Sequence, residues 1–228
     1  MEVERELQVT KAWADRLEEL GRILDRLRTY LEATCVRLRF HSVPDGAFDF
    51  RHTRIDGRVK PHTSVIRKLE EAQGLTVWDI DDLVGVRVVV DSWLDVEELT
   101  TAIEQDGRSG ACPLDAILRV PYDRHTDGYK ARHLKGKMGD VGCEIQIRTQ
   151  LLDLWARISR ADLYRRPDVE PLSLQAREVA LELEKIDARL QDLRDEARRK
   201  REPKPEISPN PAEKEPRLPS GDANDQPR

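Results

Sequence analysis

The stretch CEIQIRT, residues 143–149, alternates apolar and polar side chains. This alternation is typical of a β-strand with one face in the core, because successive side chains point to opposite sides of a sheet. A solvated polar face would explain the pattern, and so would a functional row of carboxylate, amide and guanidinium. The apolar set and the polar set are predicted to lie on opposite faces: Cys143, Ile145 and Ile147 against Glu144, Gln146 and Arg148.

Further strands and helices are predicted on both sides of this segment. The run VRVVV, residues 86–90, is β-branched and nearly continuous, which is typical of a strand buried on both faces. Other short strands are expected in the low fifties and between Gly107 and Gly142, where glycines and clustered charges indicate loops. Helices are predicted to begin near Pro61, Val96 and Leu151.

Long helices are predicted at both ends of this core. Apolar residues recur at steps of four and three over residues 8–34, which predicts one N-terminal helix with an apolar stripe. A heptad-like seam follows on residues 172–200, which predicts a long C-terminal helix. Such a seam packs either against its own domain or against a second copy of the chain, so a homo-oligomer is one of two expectations.

Strands that alternate with helices in this order indicate an α/β fold, a mixed sheet flanked by helices. We expect one domain over residues 1–200. Prolines and charges dominate residues 201–228, and large apolar side chains nearly vanish there. This tail is predicted to be disordered, because it cannot bury enough surface to offset its ordering entropy.

Composition narrows the class of protein. With 228 residues, 38% apolar and 36% charged, the chain suits a soluble protein with one modest core. No apolar run approaches the roughly 20 residues of a membrane span, and the acidic start MEVERELQ differs from a signal peptide, so a cytoplasmic protein is expected. Three scattered cysteines predict neither a disulfide framework nor a zinc site. The net charge of −5 argues against indiscriminate nucleic-acid binding.

The segment GRVKPHTSVIRKL, residues 57–69, carries the first group of candidate functional residues. Arg58 and Lys60 share one strand face, and Ser64 and Lys68 share one face of the following helix. Together they could surround a polyphosphate, with the lysines as point charges and Arg58 able to fork onto oxygens or stack on a base. A solvated charged face would explain the same four residues.

Two further groups lie near the buried strands. Asp82 opens the apolar strand and Arg87 lies inside it, where a charge is expensive unless it is paired or used. A structural ion pair and a functional role therefore both explain this pair. In GYKARH, residues 128–133, Tyr129 offers a ring face for a base and His133 a donor for phosphate, although a lone tyrosine also serves packing.

Four motifs in this order resemble the synthetase domain of the RelA/SpoT alarmone synthetases, most closely the short, single-domain kind. The resemblance covers about residues 50–165 and implies a nucleotidyltransferase-like fold. It also implies an enzyme that transfers pyrophosphate from ATP to the 3′ hydroxyl of GDP or GTP with Mg²⁺, making (p)ppGpp in the stringent response. The motifs are R-x-K-x-x-x-S-x-x-x-K from Arg58, DLVGVRV from Asp82, GYKARHL from Gly128 and EIQIRT from Glu144.

The resemblance also implies roles for individual residues. Asp82 and Glu144 would hold Mg²⁺, Glu144 would activate the 3′ hydroxyl, and Gln146 would help to orient the catalytic site. Arg58 and Arg87 would stack on adenine. The residues implied at the ATP phosphates are Lys60, Ser64 and Lys68, and those implied at the acceptor nucleotide are Tyr129 stacking on guanine, His133, Lys130 and Arg132 near its phosphates, and Asp153 at the guanine edge.

The chain departs from the family pattern mainly on the acceptor side. Ala131 stands where a serine is usual, and His125 where a lysine is often found. Two alternatives therefore stay open: a toxic relative that pyrophosphorylates tRNA 3′ ends or adenine nucleotides, and a catalytically degenerate nucleotide-binding module. The five histidines show no HD-type signature of alarmone hydrolysis, so a synthetase without hydrolase activity is expected.

Overall fold

The structure is a computed structural model that describes residues 2–38, 53–72, 74–119, 130–162 and 170–201. The strands are β1 (Arg54–Val59), β2 (Val84–Val90), β3 (Asp115–Arg119), β4 (Arg132–Met138) and β5 (Val141–Thr149). The helices are α1 (Glu2–Asp15), α2 (Leu17–Arg37), α3 (His62–Glu71), α4 (Trp93–Ser109), α5 (Gln150–Asp162) and α6 (Glu170–Arg201).

The strands form one mixed sheet in the order β1-β2-β5-β4-β3. The central pair, β2 and β5, is parallel, and each remaining pair is antiparallel. A parallel pair needs a crossover, and α4 lies within that connection. The predicted α/β fold with a mixed sheet flanked by helices is confirmed.

One face of the sheet forms the hydrophobic core. Cys143, Ile145 and Ile147 are 0% exposed, so the core-facing half of the opening strand is confirmed. The valines of β2 join them in the same cluster. Helices α2 and α4 contact this part of the sheet. The alternation of β5 therefore sends its polar side chains to the opposite face.

Helix α4 is longer than the predicted segment that began near Val96. Ser92 caps its start: the Ser92 Oγ accepts the N–H of Asp95, and the Asp95 carboxylate accepts the N–H of Ser92. The helix ends at Gly110, whose φ of 76° is readily adopted only by glycine.

The N-terminal segment forms two helices, where the leucine pattern predicted one. The break lies at Arg16, whose guanidinium bonds Glu19 and Asp140 and lies 4.2 Å from the centre of the Trp78 ring. Helix α1 contacts α3, whereas α2 packs on the sheet. The predicted stripe is buried within α2, where Leu20, Leu27 and Leu31 are all 0% exposed.

The long C-terminal helix is confirmed, with Pro171 in its first turn, where proline is tolerated. Its contact with α5 runs through Ala180 and Leu183, which pack against Trp155. The predicted seam faces largely away from this contact, since Val179, Ile186, Leu190 and Leu193 are 46%, 43%, 38% and 62% exposed. A homo-oligomer through this helix stays a prediction.

The helices and the C-terminal tail bear on two further predictions, the absence of a membrane span and the disorder of residues 201–228. None of the described helices combines the length and apolar composition that a membrane crossing needs. Residues 202–228 lie outside the described residues, so the predicted disorder and the domain boundary near residue 200 stay predictions.

Candidate active site

The face of the sheet opposite α2 and α4 carries charged and polar side chains from four neighbouring strands. Register sets their positions: Glu144 aligns with Gly85 on one side and Lys135 on the other, and Gln146 aligns with Arg87. Side chains at paired positions of adjacent strands share a face. The set comprises Arg54, Asp56 and Arg58 of β1, Arg87 of β2, Glu144, Gln146 and Arg148 of β5, and His133 and Lys135 of β4.

Glu144 is held by a bond at each oxygen. His133 Nδ1 lies 2.8 Å from Oε1, and Gln146 Nε2 donates to Oε2 at 2.7 Å. Burial raises the pKa of Glu144, but the bonds from His133 and Gln146 bring it below its ordinary value. The carboxylate is therefore ionised near neutral pH and fixed in orientation, as a metal ligand or a general base requires.

Asp82 is held by two lysines of the first predicted group. Lys60 Nζ donates to Oδ2 at 2.6 Å, and Lys68 Nζ donates to Oδ1 at 3.0 Å. Burial raises the pKa of Asp82, and these two bonds lower it to a net value below the ordinary one. Lys60 is only 9% exposed, so it does not belong to a solvated charged face.

A close backbone contact brings the segment just before Asp82 against the start of β5. A Cβ on Gly142 would lie 2.3 Å from the carbonyl oxygen of Ile80 and 2.6 Å from Cα of Asp81. Only glycine therefore lets this segment lie against the start of β5. The negative charge of Asp82 opposes ionisation of Glu144 and so acts to raise its pKa, although the net pKa lies below the ordinary value.

Gly85 leaves the sheet surface uncovered between Arg58, a candidate ATP residue, and Glu144, the candidate catalytic residue. It aligns with Arg58 of β1 and with Glu144 of β5. No atom lies within 4 Å of the point where a Cβ would stand. A ligand can therefore approach the backbone here between the arginine and the carboxylate.

The donor set suits a magnesium ion that is bound together with substrate. Mg²⁺ is usually held by one or two carboxylates plus phosphate oxygens and water, and Asp82 and Glu144 supply two ionised carboxylates. Within the described ranges, no group of three or more His, Cys, Asp or Glu side chains is placed to enclose a metal. The residues thus fit Mg²⁺ shared with phosphate.

Asp153 lies in a different environment from the predicted guanine contact. It is 3% exposed, and its Oδ2 accepts from Nε of Arg157 at 2.9 Å and also from Arg54. Its Oδ1 lies 3.4 Å from Nε of Arg148 and 3.7 Å from Nη1 of Arg87. Because α5 folds back over this end of the sheet, the carboxylate faces arginines and is placed to position Arg87.

Arg148 supports the site and does not line it as the strand pattern suggested. It lies on the predicted face, but it is 1% exposed. Its Nη2 is 3.5 Å from Oε1 of Gln146, and it forms the ion pair with Asp153. The guanidinium of Arg148 therefore links β5 to α5.

The structure separates His133 from Arg132, which the sequence placed at one site. Arg132 aligns with Ile147, so its side chain lies on the core side of the sheet. It donates to Glu97 of α4 and lies 5.7 Å from the centre of the Trp93 ring. The alternation that brings His133 to Glu144 therefore takes its neighbour to the other face, and the acceptor role predicted for Arg132 does not fit.

Lys130 lies near the same tryptophan as Arg132, on the core side of the sheet. Its Nζ lies 4.4 Å from the centre of the Trp93 ring and donates to Glu184 of α6 at 3.2 Å. This placement does not fit a contact with acceptor phosphates. Tyr129 lies outside the described residues, so its stacking role stays a prediction.

Two residues of the site, Lys135 and Asp81, lie outside the four sequence motifs. Lys135 lies on the face of His133 and bonds the carboxylate of Asp81. Lys68 donates to the same carboxylate at 2.9 Å. The signal was available for Lys135, because two steps along a strand from His133 return to the same face.

Similar proteins share this arrangement of strands and helices. Residues 57–168 match the family described as "Region found in RelA / SpoT proteins". Small alarmone synthetase 1 from Bacillus subtilis bound to its product pppGpp has a TM-score of 0.65 and 20% identity, over 82% of this chain and 98% of that chain. The same synthetase bound to AMPCPP gives 0.56 and 19%, over 83% and 99%. A GTP pyrophosphokinase family protein from Streptococcus pneumoniae gives 0.64 and 21%, over 83% and 96%.

The family match covers the segments that build the site. No curated protein gives a significant sequence match. The matched residues 57–168 include Arg58 of β1, Asp82 of the turn before β2 and Glu144 of β5. The solved structures add a shared fold at low identity. Residues 57–168 of this chain are therefore a RelA/SpoT region, and the chain has the fold of the small alarmone synthetases.

Proposed function

We propose that this protein transfers a pyrophosphate group from ATP to the 3′ hydroxyl of GDP or GTP, which makes (p)ppGpp and releases AMP. The observation that carries the proposal is a pair of fixed carboxylates on either side of the start of β2: Lys60 and Lys68 bond Asp82, and Glu144, held by His133 and Gln146, aligns with the uncovered Gly85. Related structures bound to pppGpp and to AMPCPP support nucleotide substrates of this kind.

On the ATP side, we propose that Arg58 and Arg87 hold the adenine and that the lysines hold the phosphates. Arg58 and Arg87 lie on the same sheet face on adjacent strands, at positions aligned with Gly85 and Asp56. A guanidinium stacks well on an aromatic base. Ser64 lies in the first turn of α3 and Lys68 one turn later, which suits contacts along a polyphosphate.

On the acceptor side, we propose that Glu144 accepts the proton of the 3′ hydroxyl while Gln146 and His133 keep the carboxylate in place. The hydroxyl oxygen bonds to the β-phosphorus of ATP, and the bond from that phosphorus to the α-phosphate oxygen breaks, so AMP leaves. Tyr129 would stack on guanine, and His133 would also contact the acceptor phosphates.

Asp82 and Glu144 would hold Mg²⁺ in this reaction. When bound there, the ion offsets the negative charge that develops on the phosphate oxygens. The lysines beside Asp82 supply further positive charge in the same place. Because the nucleotides are those of the cytoplasm, we expect the protein to act there, as a synthetase without hydrolase activity.

Product analysis tests this proposal. Purified protein is incubated with ATP, Mg²⁺ and either GDP or GTP, and nucleotides are separated and quantified. AMP and a guanosine nucleotide with two added phosphates should appear in equal amounts, and that product should persist when it is incubated alone with the protein. Formation of ADP, or of AMP with free pyrophosphate and no guanosine product, would contradict the proposal.

A further inference from the structure

Lys135 occupies a position between the two halves of the candidate site. It lies on β4 two residues after His133, on the same face, and it aligns with Glu144 of β5. Its side chain is 28% exposed, so the ammonium group remains accessible to a ligand. The position therefore adjoins both the candidate catalytic carboxylate and the acceptor-side histidine.

The ammonium group of Lys135 belongs to a connected row of charges. Lys135 and Lys68 both bond the carboxylate of Asp81, and Lys68 and Lys60 both bond that of Asp82. Three ammonium groups thus share two neighbouring carboxylates, which leaves one surplus positive charge. The row runs from the end of β1 through α3 to β4, from the proposed ATP residues toward the proposed acceptor residues.

Asp81 bonds two of these cations, Lys68 and Lys135, through its two carboxylate oxygens. Its side chain is 47% exposed. Since exposed ion pairs contribute little to stability, structural support alone does not explain a lysine shared in this way.

We propose that Lys135 binds the diphosphate that is transferred, at the point where donor and acceptor phosphates meet, and that Asp81 positions it. This inference rests on the proposed function. Phosphate oxygens can replace Asp81 as the partner of Lys135, because a compact ammonium group can donate hydrogen bonds to several oxygen atoms. The sequence motifs do not include either residue.

Lys135→Met tests the proposal, with Lys137→Met as the matched control. Lys137 lies on the same strand and face, is exposed and carries the same charge, but it aligns with Gly142 at the far end of β4. Loss of one charge-assisted contact should lower kcat/KM about 10- to 100-fold in Lys135→Met and leave Lys137→Met within about twofold of wild type. Equal activity of the two variants would overturn the proposal.

A double variant separates phosphate binding from simple neutralisation of Asp81. If Lys135 only balanced that carboxylate, Asp81→Asn would restore the activity of Lys135→Met. We expect no restoration, and Lys135→Arg should keep most of the activity because a guanidinium also binds phosphate. Recovery in the double variant would contradict the proposal.

Calorimetric binding of ATP with Mg²⁺ keeps this inference separate from the proposed reaction. Lys135→Met should raise the Kd for ATP with Mg²⁺ about tenfold relative to Lys137→Met, whether or not the wild-type protein makes a guanosine product. If the wild-type protein makes no guanosine product, the proposed function is contradicted and the inference about Lys135 is not. If Lys135→Met binds ATP with Mg²⁺ as well as Lys137→Met does, the inference is contradicted and the proposed function is not.

Discussion

His133 of β4 and Glu144 of β5 lie diagonally across two antiparallel strands, with Nδ1 and Oε1 2.8 Å apart. An ionised carboxylate only accepts hydrogen bonds, so the histidine proton at Nδ1 points at Glu144. The contact joins the strand after the predicted acceptor loop to the strand that carries the candidate catalytic residue. The orientation of the Glu144 carboxylate therefore depends on His133.

Glu144→Gln should lower turnover about 10²- to 10⁴-fold, since the substitution removes the negative charge and keeps the shape. ATP binding should change little, because Lys60 and Lys68 bond Asp82 and Asp81 rather than Glu144. Steady-state kinetics and calorimetric ATP binding check both parts. Glu182→Gln, on the exposed part of α6, is the control; near wild-type turnover in Glu144→Gln would remove Glu144 from the catalytic site.

His133→Ala should raise the KM of the acceptor about tenfold, whereas Arg132→Ala should raise it less than about threefold. The reason is the placement of the two side chains on opposite faces of β4. Arg132→Ala does not leave Glu97 without a cation, since Arg119 Nη1 lies 3.8 Å from the same carboxylate. Equal effects of the two substitutions on the acceptor KM would show that the face assignment is wrong.

The motif GYKARHL shows how much of the site could be predicted from sequence. Alternation predicted correctly that Glu144 and Gln146 lie on the face opposite Cys143 and Ile145, since alternation is a local property of a strand. The catalytic roles of Glu144 and Asp82 stay predictions. Treating adjacent motif residues as one group failed at Arg132, because strand geometry sends neighbours to opposite faces. Asp153 could not be placed from sequence, since its environment depends on how α5 folds over Arg54 and Arg87.

The N-terminal helices show how much of the fold could be predicted from the sequence. The leucine stripe predicted helix and burial correctly at Leu20, Leu27 and Leu31. The break at Arg16 could not be predicted locally, because its guanidinium bonds Asp140, which is 124 positions away. Long-range contacts of this kind override helical periodicity.

Asp153→Asn should lower the free energy of unfolding by about 3 kcal/mol, because Arg148, at 1% exposed, loses its neighbouring carboxylate. Asp56→Asn is the control: its side chain is 47% exposed, and the change should stay within about 0.5 kcal/mol. Urea unfolding measures both. A similar loss in the two variants would argue that the arginine cluster gives no special stability.

The hydrogen bonds of Asp106 predict how the free energy of unfolding depends on pH. Arg37 donates to its carboxylate at 2.6 Å and Tyr30 at 2.7 Å; the bond from Arg37 lowers the pKa of Asp106, burial opposes it, and the net value is below the ordinary one. The unfolded chain therefore binds this proton at higher pH than the folded protein does. The contribution is full above the unfolded pKa of about 4 and is lost as pH falls through the folded pKa.

Asp106→Asn should accordingly reduce the free energy of unfolding by about 1–2 kcal/mol at pH 7, and the difference from wild type should shrink as the solution is acidified below about pH 4. Urea unfolding of both proteins over this pH range gives the comparison. A difference that stays constant or grows in acid would show that the Asp106 carboxylate is not stabilised by its partners.

Transfer of label from β-labelled ATP tests the central claim most directly. The purified protein is given Mg²⁺ and, in separate reactions, GDP, GTP, ATP or deacylated tRNA as the acceptor, and the position of the label is followed with Glu144→Gln as the blank. Our account predicts label on GDP or GTP, absent from the blank. Label on tRNA or on an adenine nucleotide, or no transfer to any acceptor, would contradict it.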